Sequence, residues 1–363
     1  MRLFTRIIIL SVLVLFMSYI YKLTSKVKQT AKFYNPMSYS IDNFEFRKSP
    51  NGPLPIFFFS HGGPTFADKN DKFGSNLGAW NKTRDVGKYI RNTLKPDFII
   101  CVSAHWQSDF ANKVEVAIPG PKETRFIESN TSSHRITPDE NALIYDFYNF
   151  PAVHYRNQFH TLANRAIARD IVKTLSESDF FEAETTERGI DHGCWVPLRV
   201  AFGNTTVEDT KQLDIDVPVV QVSLAGTDDI EIHYKLGQVL SKYRDLNGCI
   251  IFSGMSVHSL RDIGRAIQSG KKALDYVTPF NTLLTKILTG PSKDVLPQLK
   301  QLPNKDGWKT LYRLSHPTNE HFLPSVVGAG ASRGDECKEL YTAADLSLGW
   351  NIYRWGKTDK NGL

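Results

Sequence analysis

Ile56-Phe57-Phe58-Phe59-Ser60-His61-Gly62-Gly63-Pro64 is the stretch on which the reading of this chain turns. Four apolar residues in a row, closed by Ser and a glycine pair, have the make-up of a strand buried on both faces, as in a parallel sheet covered by helices. The run ends in a histidine, and the same grammar recurs twice. Phe98-Ile99-Ile100-Cys101-Val102 leads into Ser103-Ala104-His105-Trp106, and Ile250-Ile251-Phe252 into Ser253-Gly254-Met255-Ser256-Val257-His258. Ligands of open α/β sheets bind beyond the carboxyl ends of the strands. Three strands that each close on a histidine therefore aim three imidazoles at one crevice. A further histidine, His321, follows Ser315-His316-Pro317-Thr318-Asn319-Glu320. Neutral imidazole is the commonest transition-metal ligand near pH 7.

Outward from these strands the chain alternates. Helical periodicity runs over Leu77–Leu94, and Pro96 closes it. Helices are predicted at Pro138–Tyr148 and Leu162–Leu175, a strand near Phe180–Glu184, and a helix starting after Asp191-His192-Gly193. Then come a strand at Val217–Leu224, a helix at Ile230–Tyr243, the strand Gly248–Ser253, a helix at Lys272–Leu288, and one or two closing strands between Leu340 and Trp355. This alternation predicts an α/β fold, a single domain whose mostly parallel, mixed central sheet is flanked by helices, with the metal site at the C-terminal ends of its strands. The Gly120–Thr137 loop is long and polar, as functional lids often are.

The formal net charge of +6 is misleading. Residues 1–41 hold six bases (Arg2, Arg6, Lys22, Lys26, Lys28, Lys32) and no acid; without them, 38 bases face 38 acids. A body of neutral balance argues against nucleic-acid binding, which calls for a basic surplus. Ile7–Tyr21 is apolar except for Ser11 and Ser18. Residues 1–22 read as an uncleaved single-pass membrane anchor, endomembrane or mitochondrial, with a cleaved signal and a mitochondrial import signal as the alternatives. Residues 23–50 read as a polar basic stalk and 51–357 as the catalytic domain. The four cysteines match no zinc-finger spacing, and Cys101 and Cys249 read as small buried hydrophobes.

His61 sits before two glycines that let backbone approach a ligand closely, and His105 precedes Trp106, which could wall a pocket. His192, in Arg188-Gly189-Ile190-Asp191-His192-Gly193-Cys194-Trp195, falls at a helix start. A helix N-terminus disfavours imidazolium and keeps the ring available as a base; the plainer reading is that Asp191 caps the helix and His192 is exposed. His134, His154, His160 and His233 read as structural or surface residues, and His316 as a partner behind the site. Neither a phosphate loop nor a CxxC or HExxH motif occurs.

The ordered set of motifs resembles the class III extradiol ring-cleavage dioxygenases, in their 4,5-DOPA dioxygenase-like branch. It comprises Ser60-His61-Gly62, Ser103-Ala104-His105-Trp106, Tyr145-Asp146-Phe147-Tyr148-Asn149-Phe150-Pro151, Gly189 to Leu198, Pro218 to Leu224, Ser253 to Leu260 and His316-Pro317-Thr318-Asn319-Glu320-His321-Phe322-Leu323-Pro324. The resemblance implies a metal held by His61, His105 and His321, with Glu320 as the fallback third ligand. It implies His258 at the metal as a fourth ligand or an acid–base group, and His192 beside the substrate. Ser259 stands where the family usually has asparagine, which bears on substrate preference.

The implied activity is that of a non-haem Fe(II) dioxygenase opening the ring of a catechol, DOPA-like, beside its hydroxyls with O2. The hydroxyls of a bound catechol would acidify at the metal, as bound water does, with His192 or His258 taking a proton and later returning one. Arg125 is a candidate partner for a substrate carboxylate. Zn(II) suits the same ligands. Two alternatives remain open: a zinc-dependent hydrolase on the same scaffold, with Asp191 or Glu320 as base, and a non-enzymatic membrane-tethered metal-binding protein.

Overall fold

The structure, a computed structural model, describes residues 40–71, 74–120, 139–203 and 212–357. Its strands, in chain order, are β1 (Ile56–Ser60), β2 (Phe98–Gln107), β3 (Lys113–Ile118), β4 (Glu182–Glu187), β5 (Val219–Leu224), β6 (Gly248–Gly254), β7 (Val257–His258), β8 (Cys337–Tyr341), β9 (Ala344–Asp345), β10 (Leu348–Gly349) and β11 (Ile352–Trp355). The helices are α1 (Leu77–Tyr89), α2 (Arg165–Ser176), α3 (His192–Phe202), α4 (Ile230–Leu240), α5 (Ile263–Ser269), α6 (Val277–Leu288), α7 (Ser292–Gln301), α8 (Trp308–Ser315) and α9 (Leu323–Ala331).

Eight strands make one sheet in the order β4-β3-β5-β2-β6-β1-β11-β8. The central four, β5, β2, β6 and β1, run parallel, whereas β3 meets β5 and β11 meets β1 antiparallel. Strands β1, β5 and β6 are buried along their whole length, which is why they read as unbroken apolar runs. Alternate side chains feed two cores. Phe58, Ile100 and Phe252 point to one, beneath α4 and α9; Phe57, Ile99 and Ile251 point to the other, beneath α1 and α3. Each fully buried side chain of this size contributes about 1.5–3 kcal/mol relative to exposure. Such a sheet, covered on both faces, fixes its strand register firmly. All four cysteines are free and buried.

Three expectations change. The predicted helix over Pro138–Tyr148 does not form across its described part. That segment joins isolated bridges, Glu140 to Leu162 and Leu143 to Ile190, and Asn141 donates to the carbonyls of Leu162 and Val219 at 3.0 Å. Its polar groups are met by neighbouring segments rather than by the next helical turn. The end of the expected stalk packs on the body. Ile41 is buried and its carbonyl accepts from Arg165 N at 2.7 Å, while Phe44 and Phe46 meet Phe98 edge-on. The compact unit accordingly begins at Ile41. Finally, the expectation of a single-pass membrane protein is corrected: among the described residues no helix is long and apolar enough to cross a membrane. The run Ile7–Tyr21 lies outside the described residues, and it is shorter than the ~20 residues a span needs.

Candidate metal centre

Strands β2, β6 and β1 lie side by side and parallel, so their C-terminal ends share one edge. Ser103 pairs with Ser253, and Gly254 with Ser60. His61 emerges one residue beyond that edge, its N–H donated to the Gly254 carbonyl at 2.9 Å. Gly62 then turns the chain at φ +62, where a Cβ would strike the Trp350 indole at 2.5 Å. Only glycine meets both demands, the left-handed backbone and the absent side chain.

The hydrogen bonds around His61 fix its tautomer. Its Nδ1 lies 2.9 Å from Ser253 Oγ, and that hydroxyl gives its proton to the Gly193 carbonyl. A hydroxyl with its proton already given can only accept, so His61 carries its proton on Nδ1. Its Nε2 is a bare lone pair, buried and without a hydrogen-bond partner among the described residues. His321 repeats the pattern. Its Nδ1 faces Glu320 Oε1 at 2.9 Å, and its Nε2 lies 3.1 Å from Nε2 of His105. His105 in turn has Asp146 Oδ2 at 3.0 Å from its Nδ1. The three ring centroids lie 5.1, 5.2 and 4.9 Å apart, and each ring offers a nitrogen within 4.8 Å of the others.

This donor set fits a metal ion. Two imidazole lone pairs 3.1 Å apart repel unless a proton or a cation lies against them, and the orphaned Nε2 of His61 faces the same cluster. Metal–nitrogen bonds of ~2.0–2.1 Å bring neighbouring nitrogens on one ion to roughly this spacing. Burial and the neighbouring imidazoles hold His61 and His321 well below the ordinary histidine value. Neutral imidazole, the ligand form, is therefore favoured at pH 7. His105 differs: burial opposes its charge, yet the Asp146 contact raises it above the usual value. Despite burial, His192 and His105 hold the Asp146 carboxyl well below the usual carboxylate range.

His192 opens α3, and Asp191 caps it, accepting from Cys194 N at 3.2 Å. The Asp191 carboxylate also takes bonds from Ser103 of β2, Gln221 of β5 and Arg188. It thereby ties the helix start to the strand ends. Gly193 can only be glycine, because a Cβ would collide with the Ser103 and His105 side chains. His192 is buried rather than exposed, its ring 3.9 Å from that of His105. Its backbone N–H donates to Asp146 Oδ1 at 2.9 Å; Nδ1 is also 2.9 Å from that oxygen, in ion-pair reach but not aligned as a hydrogen bond. Burial, then the charge of His105, lowers the His192 pKa. His258 stands apart from the three-nitrogen group. Its ring lies flat on His321 at 3.5 Å and 13°, and it forms a neighbouring group with Glu320 and His321. Burial, then His105, pushes its pKa down to about 3. His105, Asp146, His192, His258, Glu320 and His321 border a cavity of about 620 Å³.

Comparison with known proteins agrees with this architecture. The family described as the catalytic LigB subunit of aromatic ring-opening dioxygenase matches residues 55–353. The chain belongs to this family. A 4,5-DOPA dioxygenase extradiol-like protein of Schizosaccharomyces pombe is 28% identical over 309 residues, covering 82% of this chain and 92% of its own length. A 4,5-DOPA dioxygenase extradiol of Beta vulgaris is 30% identical over 287 residues, covering 78% of this chain and 89% of its own. An uncharacterized protein of Escherichia coli K12 shares the fold at a TM-score of 0.56 and 22% identity, covering 84% of this chain and 100% of that one.

Membership in the ring-opening dioxygenase family gives the extradiol-like expectation its ground. The structure brings His61, His105, His192, His258 and His321 together. It leaves His154, His160 and His233 elsewhere, buried and structural, while His134 and Arg125 lie outside the described residues. Family membership does not favour the hydrolase alternative; of its two candidate bases, Asp191 is bonded on both oxygens, while Glu320 meets His321 and Thr318 through Oε1. Asp146 is the residue that the sequence reading passed over. It stood in the Tyr145–Pro151 motif without a role, and its signal was one carboxylate among Tyr145, Phe147 and Tyr148.

Proposed function

We propose that this chain is an Fe(II)-dependent extradiol dioxygenase that opens a catechol ring beside its hydroxyls. The observation that carries the reading is the convergence of three imidazoles, each with an oxygen against Nδ1 and its Nε2 left for a metal. His61, His105 and His321 would hold the ion. When bound, Fe(II) would acidify the catechol hydroxyls and bring them together with O2; zinc fits the same nitrogens but supplies no redox chemistry.

The chain's own groups divide the remaining work. Ser253, Asp146 and Glu320 orient the three rings and set their tautomers, as second partners of ligating histidines do. His192, with Asp146 against Nδ1, presents Nε2 as the base that takes a hydroxyl proton and returns it to the opened product. His258 is uncharged at neutral pH and stacked on His321, which supports a second acid–base role better than a fourth ligand. Phe147, Met255 and Leu348 line the cavity and keep water from its apolar side.

Elemental analysis of purified variants tests this reading. His61→Ala, His105→Ala and His321→Ala should each lose most of the bound iron while staying folded. Full occupancy in His321→Ala with loss in Glu320→Ala would move the third ligand to Glu320.

A further inference from the structure

The cavity is unbalanced in charge. Among the described residues that line it, Asp146 and Glu320 are acidic and none is Lys or Arg. Gln107 also faces it, but both protons of its amide are already given, to the carbonyls of Ala225 and Thr227 at 3.0 Å each. Two carbonyls on one terminal atom require that atom to be nitrogen, so Gln107 has only an acceptor oxygen left to offer. Arg188, beside the end of β2, does not line the cavity. It lies over the Trp106 ring at 4.6 Å and donates to Asp191 at 3.0 Å. The outer wall is apolar and open: Tyr148 is 78% exposed and Leu260 58%, with Phe150 beside them.

We infer that the substrate is a catechol whose ring substituent is apolar or carries an ammonium group, and that it bears no carboxylate. This rests on the catechol reading proposed above and narrows it, replacing the DOPA-like side chain, which is an amino acid. A carboxylate on the side of the ring away from the metal would lose water and lie near Asp146, Glu320 and an acceptor oxygen, with no Lys or Arg among the described lining residues to offset it. An alkyl chain would lie on the aromatic wall, and an ammonium would find acceptors.

The test is calorimetric titration of the full chain loaded with Zn(II), which binds without turnover. The probes are 4-ethylcatechol, 4-(2-aminoethyl)catechol and 3-(3,4-dihydroxyphenyl)propanoate. The acid should bind at least about tenfold more weakly than the other two, the scale expected of an uncompensated charge near fixed anions. Gln107→Lys, which sets a cation on the wall, should recover most of that gap for the acid and weaken the amine. An acid that binds the wild-type chain as tightly as 4-ethylcatechol overturns the inference and leaves the ring-opening reading standing. If none of the three binds while one zinc per chain does, the catechol reading falls and this inference falls with it.

Discussion

His105 and His160 begin alike and end differently. Each has a carboxylate oxygen against Nδ1, Asp146 at 3.0 Å for one and Glu140 at 2.9 Å for the other. His160 stays within its own neighbourhood, its backbone N–H given to Asp214 at 2.8 Å, and it joins none of the metal-capable groups among the described residues. His105 stands on the C-terminal edge of a parallel sheet, where His61 and His321 reach the same point. A buried histidine with an acid partner is ordinary structure. Convergence at the strand ends, with lone pairs facing each other, makes a site. The fold supplies that convergence by placing β2, β6 and β1 as parallel neighbours.

The sharpest way to break the comparison is to exchange the two histidines' fates. Turnover in His105→Ala should fall by more than ~10³-fold with loss of iron, whereas His160→Ala should keep one iron per chain; iron retained in the first or lost in the second would erase the distinction. Next in size is His192→Ala. It should keep its metal and lose ~10²–10⁴-fold in turnover, the usual range for a general acid–base group, and a wild-type rate would remove it from the reaction. Asp146→Asn keeps the shape but removes the charge that faces two rings. A ~10–100-fold loss in metal affinity or activity is expected for such a partner, read by competition with a chelator; an unchanged affinity would make Asp146 a bystander.

Much of this contrast is visible in the sequence, and the reason is physical. Strands β1, β2 and β6 are buried on both faces, so they read as continuous apolar runs with a histidine at or near the end. Strand β3 was missed because it is only partly buried and interleaves Lys113 and Glu115 with Val114 and Val116. The apolar positions Ala142, Leu143 and Phe147 are buried as a helix would bury them, but their segment is held by bridges to Leu162 and Ile190. That misreading hid Asp146, because a carboxylate on a supposed amphipathic helix looks like its solvent face. The helix start at His192 is legible because its Asp191 cap is local, accepting from Cys194 N three residues on.

The smallest effects concern stability. His160→Gln should cost about 1–3 kcal/mol through the polar groups it leaves unmatched, measured by chemical denaturation, with metal content unaffected. The metal-free protein should also weaken in acid. His316 and His258 are depressed by burial to about 4 and about 3, below their unfolded value, so the unfolded chain binds protons that the folded chain refuses. Stability is then full above pH ~6.5 and falls as the pH drops toward those values. His105, which is raised, acts in the opposite sense. A melting temperature that is flat from pH 7 to pH 4.5 would contradict the buried neutral rings.

The most direct measurement is anaerobic loading with Fe(II), followed by 4-ethylcatechol and ¹⁸O-labelled O2. The account predicts one iron per chain and a yellow ring-opened product carrying both labelled oxygens, with neither iron nor product in His105→Ala. Iron-loaded wild-type protein that binds the catechol and leaves its ring intact would contradict it.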